Sequence, residues 1–129
     1  MSPTSLRLSL RLSCLVFVCV AIFGCAHGQA DLRAVLQSHV VYQCENQALI
    51  AARYYSLKDD SLHFVKLVLP DGAQFTLPNV LSASGARYTD DVELMWWSKG
   101  SNAFAQRRGQ DGQWQDLYRE CRVIDDQDK

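Results

Sequence analysis

From residue 40 onward the chain is written in short runs in which apolar and polar positions alternate, the period of a strand with one buried face. Residues 40–45, 49–55, 62–69, 75–77, 92–97, 103–107 and 114–121 are rich in β-branched and aromatic side chains, and they predict about seven strands. Turn-forming residues separate them: Lys58-Asp59-Asp60-Ser61, Pro70-Asp71-Gly72, Lys99-Gly100-Ser101-Asn102 and Gln110-Asp111-Gly112. An Asp-Gly pair between two strand-like runs is a strong hairpin signal, because both residues tolerate the backbone angles of a tight turn. Strands this short and this evenly spaced predict an antiparallel barrel or sandwich. Ahead of them, Asp31 stands where it would cap a helical turn, with Leu32, Val35 and Leu36 at helical spacing. Within residues 92–97, alternation sends Val92, Leu94 and Trp96 to one face and Glu93, Met95 and Trp97 to the other. One tryptophan therefore belongs to the core and the other reaches solvent, and the pattern leaves open which.

The first residues follow a different rule. Arg7 and Arg11 give a positive start, residues 15–23 are an unbroken apolar run, and Gly24, Ala26 and Gly28 are small. Together these predict a cleaved export signal over residues 1–24. No charge falls between Leu12 and Ala26, but that run is shorter than the roughly 20 residues of a bilayer-spanning helix. The stretch Ile22-Phe23-Gly24-Cys25 resembles the lipobox of bacterial lipoproteins, in which the cysteine becomes the lipidated first residue. Phe23 is bulkier than the residue usual at its position. Lipidation of Cys25 would make an outer-membrane lipoprotein facing the periplasm, since Ala26 is not an acidic retention residue. An ordinary cut between Ala26 and Asp31 would make a soluble periplasmic protein. Either product belongs to the bacterial cell envelope.

Export changes how the remainder is read. Cys14 and Cys19 leave with the signal and Cys25 sits at its boundary, so Cys44 and Cys121 remain as a pair. In an oxidising compartment that pair is expected to form one disulfide. Roughly 100 residues are left, enough for a single domain with a modest core. Residues 25–39 read as a tether with the helical turn, 40–124 as the barrel, and 125–129 as a polar tail. The whole chain carries a formal net charge of −1. Losing the two signal arginines makes the mature domain more acidic, which disfavours nucleic acid and suits a basic partner.

Three groups of residues could carry chemistry. Small residues dominate Ser82-Ala83-Ser84-Gly85-Ala86-Arg87-Tyr88, so the backbone there predicts a tight exposed loop presenting the Ser84 hydroxyl. It is not a hydrolase elbow, because Ser82 stands where that motif needs glycine. Trp96-Trp97-Ser98-Lys99-Gly100 ends a strand, with Lys99 at its tip and Gly100 allowing a sharp reversal. Asp90, Asp91 and Glu93 resemble a carboxylate pair, but residues so close together on a hairpin turn read as solvated turn charges. His27, His39 and His63 lack metal-ligand spacing, and there is no phosphate-binding glycine loop. No metal or cofactor is expected.

In combination these motifs become specific. Ser82 to Tyr88 followed by Trp97-Ser98-Lys99-Gly100 resembles the two motifs of the MliC/PliC family, membrane-bound and periplasmic inhibitors of C-type lysozyme. Tyr42-Gln43-Cys44, Leu69-Pro70-Asp71-Gly72 and Tyr118-Arg119-Glu120-Cys121-Arg122 fit the same frame, so the resemblance covers residues 40–123. It implies an all-β fold, a small antiparallel β-barrel of about eight strands with one disulfide. It implies an inhibitor and not an enzyme, whose two motif loops enter the lysozyme cleft. Carried over by position, Ser84 and Lys99 would meet the catalytic carboxylates, Gly85 and Tyr88 would shape the first loop, and Gly100 the second. Ser98 stands where the family often has threonine. The residues leave two other classes open: a small envelope barrel binding a lipid or other small molecule in its lumen, and a glycosidase using Asp90 or Glu93. An exposed sheet edge or the second tryptophan could also support a homodimer.

Overall fold

Eight antiparallel strands close into one barrel in the order of the sequence. They are β1 (Ala34–Gln43), β2 (Leu49–Leu57), β3 (His63–Val68), β4 (Gln74–Val80), β5 (Ala86–Thr89), β6 (Leu94–Lys99), β7 (Asn102–Arg108) and β8 (Trp114–Asp126), with a single 3-10 turn at Glu45–Gln47. This is a computed structural model that describes residues 31–126. The expected export signal, Cys25, the expected tether up to Ala30 and the last three residues lie outside the described residues.

Strand alternation fills the barrel. On β2, Ile50 and Ala52 point inward and are fully buried, as are Val65 and Leu67 on β3, Leu77 on β4, Leu94 and Trp96 on β6, and Ala105 on β7. These side chains form one packed cluster, so they occupy the interior that a lumen ligand would need, as in other barrels of eight strands. Trp96 is the core tryptophan. Its indole N–H donates to Tyr54 Oη at 3.0 Å, and Tyr42 packs edge-on against its ring at 5.1 Å. The one polar atom of the largest buried side chain therefore has a partner, as burial requires.

The barrel closes where β1 meets β8, with Tyr42 opposite Val123 and Gln43 opposite Arg122. Just beyond that pair, Cys44 and Cys121 form a disulfide with a sequence separation of 77. A cross-link over a loop of that length restricts the unfolded chain by about 4–5 kcal/mol in the entropy model.

Three expectations need correction. No helical turn forms at Asp31. The Asp31 carboxylate accepts from the Arg33 backbone N–H at 3.2 Å, but Ala34 then begins β1, and Val35 and Leu36 pair with Ser56 and Tyr55. Val35 is β-branched, and in so short a segment the i, i+3 spacing does not separate a helix from a strand with a bulge. The Arg33 guanidinium, then the Lys58 ammonium, hold the Asp31 carboxyl well below the usual carboxylate range. Residues 86–88, read as part of the loop, belong with Thr89 to β5. Finally, Asp125 and Asp126 belong to β8, opposite Val41 and Val40, and not to a frayed tail. A backbone ladder takes any residue whose side chain reaches water.

Candidate functional site

The hairpin joining β6 to β7 and the loop entering β5 lie side by side because β5 and β6 are paired, Ala86 opposite Ser98 and Arg87 opposite Trp97. β6 ends at Lys99, which faces Asn102 across a two-residue turn. Gly100 is the first turn residue with φ +58°, the glycine-first arrangement that matches the twist of the flanking strands. The turn is tied back to β8 by the Val123 N–H donating to the Ser101 carbonyl at 3.0 Å.

Trp97 joins the two loops. It lies half-buried on the outer face, and its indole N–H donates to the Ser84 carbonyl at 2.9 Å. The Ser82 hydroxyl donates to the same carbonyl at 2.7 Å. With its carbonyl held twice, Ser84 presents its exposed side chain away from the barrel. Gly85 follows with φ +70°. A Cβ added there would stand 2.6 Å from the Ser98 carbonyl oxygen, 2.8 Å from Trp97 Nε1 and 3.1 Å from Lys99 Cβ. No side chain fits at that position, so the first loop touches the second along bare backbone.

Ser84, Trp97, Lys99, Asn102, Ala103 and Phe104 line one surface pocket of about 290 Å³, and the Trp97 and Phe104 rings pack at 5.7 Å along its floor. Lys99 is exposed. Lys58 and Arg33 pair with Asp31, Arg87 with Asp91, Arg107 with Glu93 and Arg119 with Glu45. Among the described residues no carboxylate pairs with Lys99. The arrangement is an aromatic floor carrying one ammonium and one hydroxyl at its rim. It can bind anionic oxygens, but it has no base to activate Ser84 as a nucleophile.

Tyr88 is not on this surface. It is 8% exposed and packs against Tyr54 inside the barrel at 5.6 Å. Burial first, and Tyr54 second, push its phenol up to about 12. The acidic residues also have other work. One Asp90 oxygen accepts the backbone N–H groups of Val92, Glu93 and Leu94 at 2.8–3.1 Å. Partial burial raises its pKa, but those three bonds outweigh it and leave the carboxyl below its ordinary value. Asp91 and Glu93 face Arg87 and Arg107, so the three carboxylates are turn chemistry and ion pairs. Among the described residues no group of His, Cys, Asp or Glu is placed to hold a metal. Asn102 and Phe104 were not singled out in the sequence. The signal available was their place opposite Lys99 and Trp97 in a two-residue hairpin.

The family described as "Membrane-bound lysozyme-inhibitor of c-type lysozyme" matches residues 42–114. The chain belongs to this family. The match takes in both loops and Cys44 and ends at the first residue of β8. A curated relative from Yersinia enterocolitica, named membrane-bound lysozyme inhibitor of C-type lysozyme, is 44% identical over 66 residues, covering 51% of this chain and 50% of the relative. One of the same name from Pseudomonas aeruginosa is 38% identical over 64 residues, covering 50% of this chain and 48% of the relative. The chain thus spans about half the length of the curated relatives it matches. No solved structure matches it significantly.

Proposed function

We propose that this protein inhibits C-type lysozyme by placing the β4–β5 loop and the β6–β7 hairpin in the enzyme's cleft. Lysozyme hydrolyses glycans with a carboxylic acid and a carboxylate on either side of the scissile bond. The exposed Lys99 ammonium, unpaired with any carboxylate among the described residues and sharing a pocket with Ser84, is the observation that carries the reading. Between two carboxylates an ammonium forms charge-assisted hydrogen bonds. The Ser84 hydroxyl can donate to the ionised group or accept from the protonated one. Gly85 and Gly100 set the loop paths, and Trp97 and Phe104 add apolar area beneath them. The acidic balance of the domain steers it toward a basic enzyme. No bond is made or broken, so the protein acts as an inhibitor and not as an enzyme.

The test is clearance of a peptidoglycan suspension by C-type lysozyme with and without the purified protein. Lys99→Ala is expected to weaken inhibition by about 2–5 kcal/mol, as when one partner of a buried charge pair is removed. A Ser84→Ala, Lys99→Ala double variant that inhibits at full strength would falsify the two-loop mechanism. The same proposal places the protein in the bacterial envelope, anchored through Cys25. Mass spectrometry of the mature N-terminus distinguishes an acylated Cys25 from a cut beyond Ala26.

A further inference from the structure

The outer face of β1–β4 carries two adjacent rows of side chains, one apolar and aromatic and the other cationic. In one row Leu36 stands opposite Tyr55, Tyr55 opposite Phe64, and Phe64 opposite Pro78. The Tyr55 and Phe64 rings lie parallel within 8° at 5.1 Å, and Leu36 is 52% exposed. In the next row His39 stands opposite Arg53, and Arg53 opposite Lys66. Arg53 and Lys66 are exposed, and neither pairs with a carboxylate among the described residues. Like charges directly opposite on neighbouring strands destabilise a sheet. The arginines Arg87, Arg107 and Arg119, by contrast, all have carboxylate partners. An unneutralised cationic pair on a chain of negative net charge calls for an anionic partner.

We propose that this face rests on a membrane surface bearing anionic phospholipid headgroups, with Arg53 and Lys66 on the phosphates and the Leu36, Tyr55, Phe64 and Pro78 row beneath them. Two observations select a membrane. Aromatic rings flanked by cations are the composition of an interfacial surface. In addition, the described chain enters the barrel through β1, the strand that carries Leu36 and His39 of this face. The barrel order adds a consequence. With β1 to β8 arranged around a closed ring, the β2–β3 pair lies half a turn from β6–β7. A barrel lying on β1–β4 therefore turns the Ser84 and Lys99 pocket away from the lipid. That orientation rests on the inhibitor reading; membrane contact by the face does not.

The test is vesicle flotation of the secreted protein beginning at Ala26, which retains the whole closed barrel and its disulfide but has no acyl chain. Vesicles contain phosphatidylcholine alone or with about 30% phosphatidylglycerol, at low salt where surface charge is least screened. The protein is expected to prefer the anionic vesicles and to be released by salt. Arg53→Glu, Lys66→Glu together should weaken that binding by about thirty-fold or more, since each surface cation contributes about fivefold. Arg119→Glu, the same change on β8, should weaken it far less. Lysozyme inhibition in solution should be the same in all three, and its absence throughout would count against the inhibitor reading alone. Equal binding to both vesicle types, an equal loss in Arg119→Glu, or binding only to insoluble peptidoglycan would overturn the proposal.

Discussion

Replacing Gly85 with alanine tests how tightly the two loops are held together. The added Cβ meets three atoms at once, the Ser98 carbonyl oxygen at 2.6 Å, Trp97 Nε1 at 2.8 Å and Lys99 Cβ at 3.1 Å. The first is backbone in a paired strand and cannot rotate away. Holding an L-residue at φ +70° costs about 1–2 kcal/mol by itself. Relieving the clash means losing the Trp97 to Ser84 hydrogen bond, a further 1 kcal/mol or about that. The expected loss is therefore about 2–3 kcal/mol, which lowers the melting temperature of a domain this size by about 10 °C or more. Gly100→Ala supplies the comparison. Gly100 also has positive φ, but a Cβ there meets nothing within 4 Å, so only the conformational cost of about 1–2 kcal/mol applies. Thermal melts by circular dichroism measure both, and the Trp97 indole N–H resonance reports whether its bond survives. If Gly85→Ala melts no lower than Gly100→Ala and leaves that resonance in place, the close approach of the loops does not hold them.

Tyr54→Phe removes the acceptor of the buried Trp96 N–H and should cost about 1–3 kcal/mol in denaturant titrations. Cys44→Ser, Cys121→Ser should lower stability by about 4–5 kcal/mol without changing strand content. Asp90→Ala removes a carboxylate bound by three backbone N–H groups. Because the folded carboxyl titrates below its ordinary value of 3.8, its contribution is complete above that pH and is lost as pH falls through the depressed value. Acid melts of the wild type should show a step there that Asp90→Ala lacks. At the other extreme, Tyr88 titrates at about 12 instead of 10, so the stability linked to it is full below pH 10 and declines between 10 and 12. Tyr88→Phe should flatten that decline.

The barrel was legible wherever alternation had a buried face to report. Residues 49–55 read as a strand because Ile50 and Ala52 point inward, and the Asp-Gly turns gave the hairpins their ends. β5 escaped because it is four residues long and begins with Ala86 and Arg87. Only Tyr88 and Thr89 are buried, and a strand that short is defined by its neighbours. The end of β8 was hidden for the converse reason: Asp125 and Asp126 join the ladder opposite Val41 and Val40, and acidic residues carry no strand signal of their own. At the site, the motifs of the sequence mark two segments that the structure brings side by side, but the sequence does not show which side chains face out. That Tyr88 faces the core and Trp97 the solvent depends on where each strand starts its alternation. The bond from Trp97 to the Ser84 carbonyl joins residues 13 apart and leaves no mark on local pattern.

The seam between β1 and β8 also bears on how the protein stays dispersed. Every other pairing joins strands adjacent in the sequence, so each reforms locally after a fluctuation. The seam alone depends on the two ends of the domain finding each other again, and loop-closure entropy opposes them most. Opening it would turn a cylinder into a sheet with two bare margins, β1 carrying Val40 and Tyr42 and β8 carrying Val123, and such margins recruit strands from other chains. The Cys44–Cys121 bond lies beside this seam. Its larger service is then against self-association: reduced protein should precipitate at temperatures where its strands are still formed.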